Sequence, residues 1–201
     1  FYSMTVGDWG QSLLYANKLG EKAYVLVDLG HHLPNANIEQ IVSLLLMEEK
    51  LGGFHFNDSK YGDDDLTVGS IDPYQLFLIF TELVEGMDAK GHDHATGLGW
   101  MIDASHNVKD PLEDLLQSVE AIKIAYAQAL LVYTKKLEEA RKNNDVVKAQ
   151  EILQNAFRTD VRPLVAQARL RARAVLETLK FFRKLKVRES LIKQRGEKTV
   201  A

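Results

Sequence analysis

Carboxylate and imidazole side chains, which together can bind a divalent cation, occur at three separate points of the 201-residue chain. The chain contains no cysteine, so disulfides, thiolate metal sites and thiol catalysis are excluded. A ligand set of carboxylates and imidazoles favours Mn²⁺, Mg²⁺ or Co²⁺ over a structural zinc site. Several carboxylates in one pocket would also repel one another unless a cation lay between them. The candidate ligands are Asp28 and His31 at the first point, His55, Asp63 and Asp65 at the second, and Asp103 and His106 at the third.

Each group lies in or directly after a short apolar run that predicts a β-strand. The runs cover residues 23–27, 52–57 and 99–103, and helical segments follow them, beginning at Asn37, Asp72 and Asp110. The runs do not alternate, which is typical of strands covered on both faces of a parallel sheet. The order predicts an α/β fold of βα units. Because the C-terminal ends of parallel strands meet at one edge, we expect the candidate ligands to converge there.

The charge distribution divides the chain into two regions, residues 1–109 and 110–201. The first contains 6 Lys and Arg against 16 Asp and Glu, a net charge of −10, and the second contains 19 against 12, a net charge of +7. The second region predicts helices over residues 111–142, 145–157 and 160–180. The longest apolar run, residues 41–47, is too short to span a bilayer, and no secretion signal is visible. We therefore expect a cytoplasmic protein without a membrane or nucleic-acid partner.

Simpler interpretations exist for each candidate taken alone. An Asp at a strand end, such as Asp28, is often only the cap of the following helix. His31 with His32, and the acidic run of residues 63–65, could be solvated loop residues. The loop at residues 92–94 (His, Asp, His) is expected to be solvated, away from any strand end. Three consecutive strand ends that carry ligands favour a metal site over coincidence.

Three motifs closely resemble L-rhamnose isomerase, in the form found in bacilli and pseudomonads and related to xylose isomerase. They are VDLGHH at residues 27–32, GGFHFNDSKYGDDD at 52–65 and MIDASHN at 101–107. The resemblance covers nearly the whole chain. It implies a partial (β/α)8 TIM barrel, about the last three βα units, within residues 1–109. Residues 110–201 would form the last barrel helix and a helical extension for subunit packing in a homotetramer. The N-terminal half of the barrel would be missing from this chain.

The resemblance also implies the activity and the ligands. The reaction would convert L-rhamnose to L-rhamnulose, an aldose–ketose isomerisation by a metal-dependent intramolecular oxidoreductase with two divalent ions, typically Mn²⁺, in each active site. Asp28, His55 and Asp103 would hold a structural ion, and His31, Asp63 and Asp65 a catalytic ion. His31, Asp63 and Asp103 are the candidate catalytic residues. A Glu that would complete the structural ion's ligands belongs on a strand that would precede Phe1.

Two other classes of function stay open at this point. One is a metal-dependent hydrolase or nuclease of the same barrel superfamily, although a nuclease would need a basic rim and the ligand-bearing region has a net charge of −10. The other is a protein without its own activity, either an inactive fragment or an assembly module. Metal binding together with sugar turnover would separate the three.

Overall fold

The computed structural model describes residues 5–33, 35–62, 64–90, 97–104 and 108–196, except for the side chains of residues 87–90. Within these ranges, three strands alternate with helices in the first part of the chain, and helices follow. The elements are α1 (Trp9–Leu19), β1 (Val25–Asp28), α2 (Ile38–Met47), β2 (Leu51–Phe56), α3 (Pro73–Lys90), β3 (Gly99–Ile102), α4 (Pro111–Ala129), α5 (Thr134–Lys142), α6 (Val146–Phe157), α7 (Arg162–Arg171), α8 (Thr178–Lys184) and α9 (Val187–Arg195).

The three strands form one parallel sheet in the order β1–β2–β3. The register places Asp28 opposite His55, and His55 opposite Met101. The predicted strands and their parallel arrangement are thus confirmed, with bounds that differ by one or two residues. A three-stranded parallel sheet occurs in closed barrels and in open α/β sheets alike, so the barrel stays a prediction.

The starts of the helices follow from local hydrogen bonding. Asn37 accepts a hydrogen bond from the Gln40 backbone N–H at 2.8 Å, and the Asp72 carboxylate accepts one from Gln75 at 2.9 Å. Asp110 accepts from the backbone N–H groups of Leu112 and Glu113 before a proline in the first turn of α4. Each cap satisfies donors that the first helical turn leaves without a partner. The predicted starts of α2, α3 and α4 are confirmed.

The core lies between one face of the sheet and helices α2 and α3. Val27, Phe54 and Phe56 are at most 1% exposed, and the Phe56 ring stacks on Phe80 of α3 with centroids 5.8 Å apart. On the other face, Leu26 and Met101 are each 44% exposed. The expectation of cover on both faces is therefore not met within the described residues, because α2 and α3 both pack on the same side.

Of the three predicted C-terminal helices, the one at residues 145–157 is confirmed as α6, and the other two are shorter than predicted. Two of the predicted helices are each interrupted: residues 111–142 form α4 and α5, and residues 160–180 form α7 and the start of α8. The first break puts Val132 and Leu137 into the same core as the sheet, so burial overrides helix propensity there. At the second break Arg173 adopts a left-handed conformation with φ of 55°. No single described helix is long and apolar enough to cross a bilayer. Among the described residues, α4 and α5 together would have the length and apolar composition, but the chain bends by 65° between them.

Candidate metal centre

The sheet brings its ligand-bearing strand ends together at one edge. Asp28 is the last residue of β1, His55 is the fifth residue of β2, and Asp103 directly follows β3. Backbone pairing continues past the strands, because Leu29 N–H donates to the His55 carbonyl at 3.2 Å and Asp103 N–H donates to the Phe56 carbonyl at 3.0 Å. These bonds fix the backbones of all three ligand-bearing segments relative to one another.

The side chains of Asp28, His55 and Asp103 converge on one point. His55 Nδ1 lies 3.0 Å from Asp28 Oδ2 and 3.2 Å from Asp103 Oδ2, and one ligand atom from each residue lies within 4.8 Å of the others. Atoms that occupy neighbouring corners around one octahedral ion, each about 2.1 Å from it, are about 3 Å apart. One imidazole placed between two carboxylates also leaves negative charge for a cation to balance. The donor set and its spacing therefore fit a divalent ion.

A second pair of candidate ligands lies beside this group. His31 Nε2 is 3.9 Å from Asp28 Oδ2 and 3.8 Å from Asp65 Oδ1, both longer than a hydrogen bond. The side chains of His31 and Asp65 are 38% and 26% exposed, so they border solvent more than Asp28, which is 15% exposed. Asp28 thus lies between the two groups. The assignment of individual ligands to two ions stays a prediction.

The loop that carries Asp65 is tied to the sheet and to the helices behind it. Asp58 and Leu66 exchange two backbone hydrogen bonds, of 3.0 and 2.7 Å. The Asp58 carboxylate also accepts from the two backbone N–H groups directly before α3, and Thr67 donates to the buried carboxylate of Asp114. Asp65 itself has φ of 44°, a left-handed conformation that Asp tolerates better than most residues. The loop therefore holds Asp65 at a defined place beside the strand ends.

The neighbouring acidic residue has a different task. The Asp64 carboxylate accepts hydrogen bonds from the backbone N–H groups of Lys60 and Tyr61, at 2.9 and 2.7 Å. For Asp64, the interpretation as part of a solvated acidic turn describes the structure better than a role as a metal ligand. Five residues named in the sequence analysis lie outside the described residues: Asp63, His92, Asp93, His94 and His106.

The structure adds one residue that the sequence analysis missed. Asn57 directly follows β2, is 2% exposed, and donates hydrogen bonds to Asp28 Oδ1 at 2.9 Å and to Asp65 Oδ1 at 3.2 Å. The signal in the sequence was an amide directly after an aromatic, buried-looking strand. Such a side chain needs polar partners when it is buried.

Two of the candidate ligands, Asp28 and His31, line a cavity of about 520 Å³. Burial lowers the pKa of His32, and His31 lowers it further, while the nearby Asp28 carboxylate acts in the opposite direction. His32 therefore faces the cavity mainly as a neutral imidazole at neutral pH. A space of this size, with polar and apolar walls, can admit a small polar molecule. Its lining includes Asp8, Trp9, Leu26, His31, His32 and Leu33.

Comparison with known proteins gives two close matches. The chain is 54% identical over 185 residues to a protein of Mesorhizobium japonicum named "probable sugar isomerase", and 58% identical over 172 residues to a protein of Rhizobium meliloti with the same name. The chain resembles one part of these two proteins. The matches cover 91% and 85% of this chain but only 42% and 39% of the relatives, so the chain spans about two fifths of their length. No protein-family model matches the chain.

Proposed function

We propose that this chain forms the metal-binding part of a divalent-cation-dependent aldose–ketose isomerase whose substrates are L-rhamnose and L-rhamnulose. The observation that carries the proposal is the convergence of Asp28, His55 and Asp103 at the sheet edge, in a chain similar to proteins named as sugar isomerases. The choice of L-rhamnose rests on the three motifs at residues 27–32, 52–65 and 101–107.

The proposal includes the fold of the whole protein. The three βα units would be the last three of a (β/α)8 barrel, completed by residues beyond this chain. Two observations support this: the relatives are more than twice as long as the segment that matches, and one face of the sheet carries the exposed apolar side chains of Leu26 and Met101. A closed barrel would cover that face and leave no free sheet edge.

We propose that these residues hold two divalent ions. Asp28, His55 and Asp103 would hold one ion, and His31 and Asp65, with Asp63 implied by the resemblance, would hold the other. When bound, such ions polarise a carbonyl group and stabilise negative charge that develops on the sugar oxygens. Mn²⁺, Co²⁺ and Mg²⁺ all suit a set of carboxylates and imidazoles.

The chain's own residues would position the sugar and move one proton. The isomerisation transfers a hydrogen from C2 to C1 of the open-chain sugar and a proton from O2 to O1. A carboxylate within hydrogen-bonding reach of O2 can accept that proton, and Asp63 is our candidate. His31, at the border between the ligands and the cavity, would contact the same end of the sugar. The neutral His32 beside it would add no positive charge to the cavity.

The test compares two neighbouring acidic residues in the protein at its natural length. We expect Asp65→Asn to lower L-rhamnose turnover in the presence of Mn²⁺ at least about 100-fold, because a ligand carboxylate is lost. Asp64→Asn keeps an acceptor for its two backbone N–H groups and should change turnover less than about threefold. His31→Ala should behave like Asp65→Asn without lowering the melting temperature, because it lies on a partly exposed loop.

Two results would contradict the proposal. One is undiminished isomerase activity after removal of divalent ions with a chelator and gel filtration. The other is an equal effect of the Asp64 and Asp65 substitutions. Phosphodiester or amide hydrolysis in place of sugar turnover would instead support the metal-dependent hydrolase or nuclease.

A further inference from the structure

Asn57 is the buried polar side chain that joins the two groups of candidate ligands. It lies one residue beyond the end of β2 and is 2% exposed, whereas the carboxylates that it contacts, on Asp28 and Asp65, are partly accessible. A primary amide has two N–H donors and one carbonyl acceptor. Asn57 Nδ2 donates to Asp28 Oδ1 at 2.9 Å and to Asp65 Oδ1 at 3.2 Å, so one amide nitrogen serves a carboxylate of each group.

These hydrogen bonds divide the oxygens of Asp28 between two tasks. Oδ1 accepts from Asn57 and from the Gly30 backbone N–H at 3.2 Å, while Oδ2 lies 3.0 Å from His55 Nδ1. The amide therefore fixes the rotation of the Asp28 carboxylate and leaves Oδ2 facing the point where the ligand atoms converge. Polar groups behind metal ligands orient them in this way in many proteins.

Close packing restricts the amide to this position. A Cβ atom at residue 30 would lie 3.0 Å from Asn57 Oδ1 and 3.3 Å from its Cγ, so only a glycine leaves the amide where it is. Asn57 Oδ1 is buried and accepts no hydrogen bond from the described residues. The polar contacts that the described residues make with this amide therefore come from its two donors.

We propose that Asn57 is a positioning residue that holds Asp28 and Asp65 at a fixed separation and so sets the affinity of both ion sites. The proposal rests on the function proposed above, since it requires that the two groups bind divalent ions. Loss of a hydrogen-bonding partner behind metal ligands costs about 10- to 100-fold in metal affinity. The same loss is expected when the two donors of Asn57 are removed.

The main experiment titrates Mn²⁺ calorimetrically into the metal-free protein at its natural length. Asn57→Leu has nearly the same shape without either donor, and we expect it to weaken Mn²⁺ binding at least tenfold. Thr81→Val is the matched control, because it also replaces a buried polar side chain by an apolar one of the same shape. Among the described residues, the Thr81 hydroxyl donates to the Phe77 carbonyl within α3, and its replacement should change the affinity less than threefold.

A melting experiment separates positioning from a purely structural role. If Asn57 only fills space, Asn57→Leu lowers the melting temperature equally with and without Mn²⁺. If it positions the ligands, the rise in melting temperature that Mn²⁺ produces becomes smaller in Asn57→Leu and stays unchanged in Thr81→Val. Gly30→Ala gives a second variant if Asn57→Leu does not fold, because it displaces the amide without removing it and should also weaken Mn²⁺ binding.

The outcomes distinguish this inference from the proposed function. Binding of Mn²⁺ by Asn57→Leu and Gly30→Ala with the affinity of the unaltered protein overturns the role of Asn57 alone. Failure of the unaltered protein to bind Mn²⁺ overturns both proposals. Weaker binding in both variants, with normal binding in Thr81→Val, supports the role assigned to Asn57.

Discussion

The pairing of β2 with β3 leaves no space for a side chain at Gly53, which lies opposite Gly99 in the register. A Cβ atom at position 53 would overlap the Gly99 carbonyl oxygen and lie 2.9 Å from both its Cα and its N. A Cβ atom at position 99 would meet only the end of the Met101 side chain at 3.6 Å and the Gly52 oxygen at 3.7 Å. Gly53→Ala should therefore force the strands apart, whereas Gly99→Ala should be tolerated.

The size of the effect follows from these distances. Carbon atoms pack best about 3.5–4.0 Å apart, so the two backbones would have to separate by at least about 0.6 Å. Overpacking of this kind costs about 1–3 kcal/mol, and each weakened ladder hydrogen bond adds about 1 kcal/mol. We expect Gly53→Ala to lower the free energy of unfolding by about 3 kcal/mol. Gly99→Ala should change it by less than about 1 kcal/mol, because alanine also restricts the unfolded chain.

The same shift should reach the candidate metal centre, because Asp103 directly follows β3 and His55 lies in β2. Denaturant unfolding of the natural-length protein measures the stability of both variants, and Mn²⁺ calorimetry measures their affinities. We expect Gly53→Ala to be the less stable and to bind Mn²⁺ more weakly, with Gly99→Ala close to the unaltered protein. Equal unfolding midpoints for the two variants would refute the reasoning, because they would mean that the strands move apart without cost.

Two further predictions concern charged groups away from the candidate metal centre. Burial raises the pKa of the Glu82 carboxyl above its ordinary 4.5, so the native state binds more protons than the unfolded chain and stability falls as the pH rises through that pKa. Glu82→Gln should remove this loss of stability. The urea midpoints of the unaltered protein and of Glu82→Gln should therefore differ at neutral pH but not in acid. A difference that does not change with pH would contradict this prediction. Lys109→Met removes the cation 3.0 Å from the Asp114 carboxylate, which is 1% exposed. It should lower the free energy of unfolding by about 2–3 kcal/mol, which is less than for a fully buried pair because Lys109 is 30% exposed. Lys148→Met, at an exposed ion pair, should lower the free energy of unfolding by less than about 1 kcal/mol in urea denaturation. Equal losses in Lys109→Met and Lys148→Met would show that the burial of Asp114 does not matter.

Local sequence was enough to predict where the first helices begin. Asn37, Asp72 and Asp110 accept hydrogen bonds from backbone groups two or three residues ahead, so the capping interaction depends on adjacent residues alone. The apolar runs likewise predicted the three strands, because short continuous apolar runs are typical of strands in parallel sheets. These predictions required no knowledge of how distant segments pack.

The sequence predicted the breaks near residues 143–144 and 159–160, but not the divisions within residues 111–142 and 160–180. The turn between α4 and α5 contains Leu130, Leu131, Val132 and Tyr133, with neither Gly nor Pro to mark a break. The chain bends there because Val132 and Leu137 become buried in the shared core, a gain that depends on the rest of the fold. The separate helix α9 was missed for a related reason, since it follows Lys186 in a left-handed conformation that no local signal predicts.

The sequence by itself determined the types of the candidate ligands and predicted that Asp28, His55 and Asp103 meet at one sheet edge. Carboxylates and imidazoles follow successive parallel strands, and parallel topology brings the C-terminal ends of such strands to one edge. Only the tertiary structure decided which atoms meet: Asp28 Oδ2 and Asp103 Oδ2 face His55, Asp64 turns to its own loop, and Asn57 bridges Asp28 and Asp65. Residue spacing fixes the end of the sheet at which a side chain lies. Its rotation, and the partners that hold it, depend on backbone register and packing between segments that are far apart in sequence.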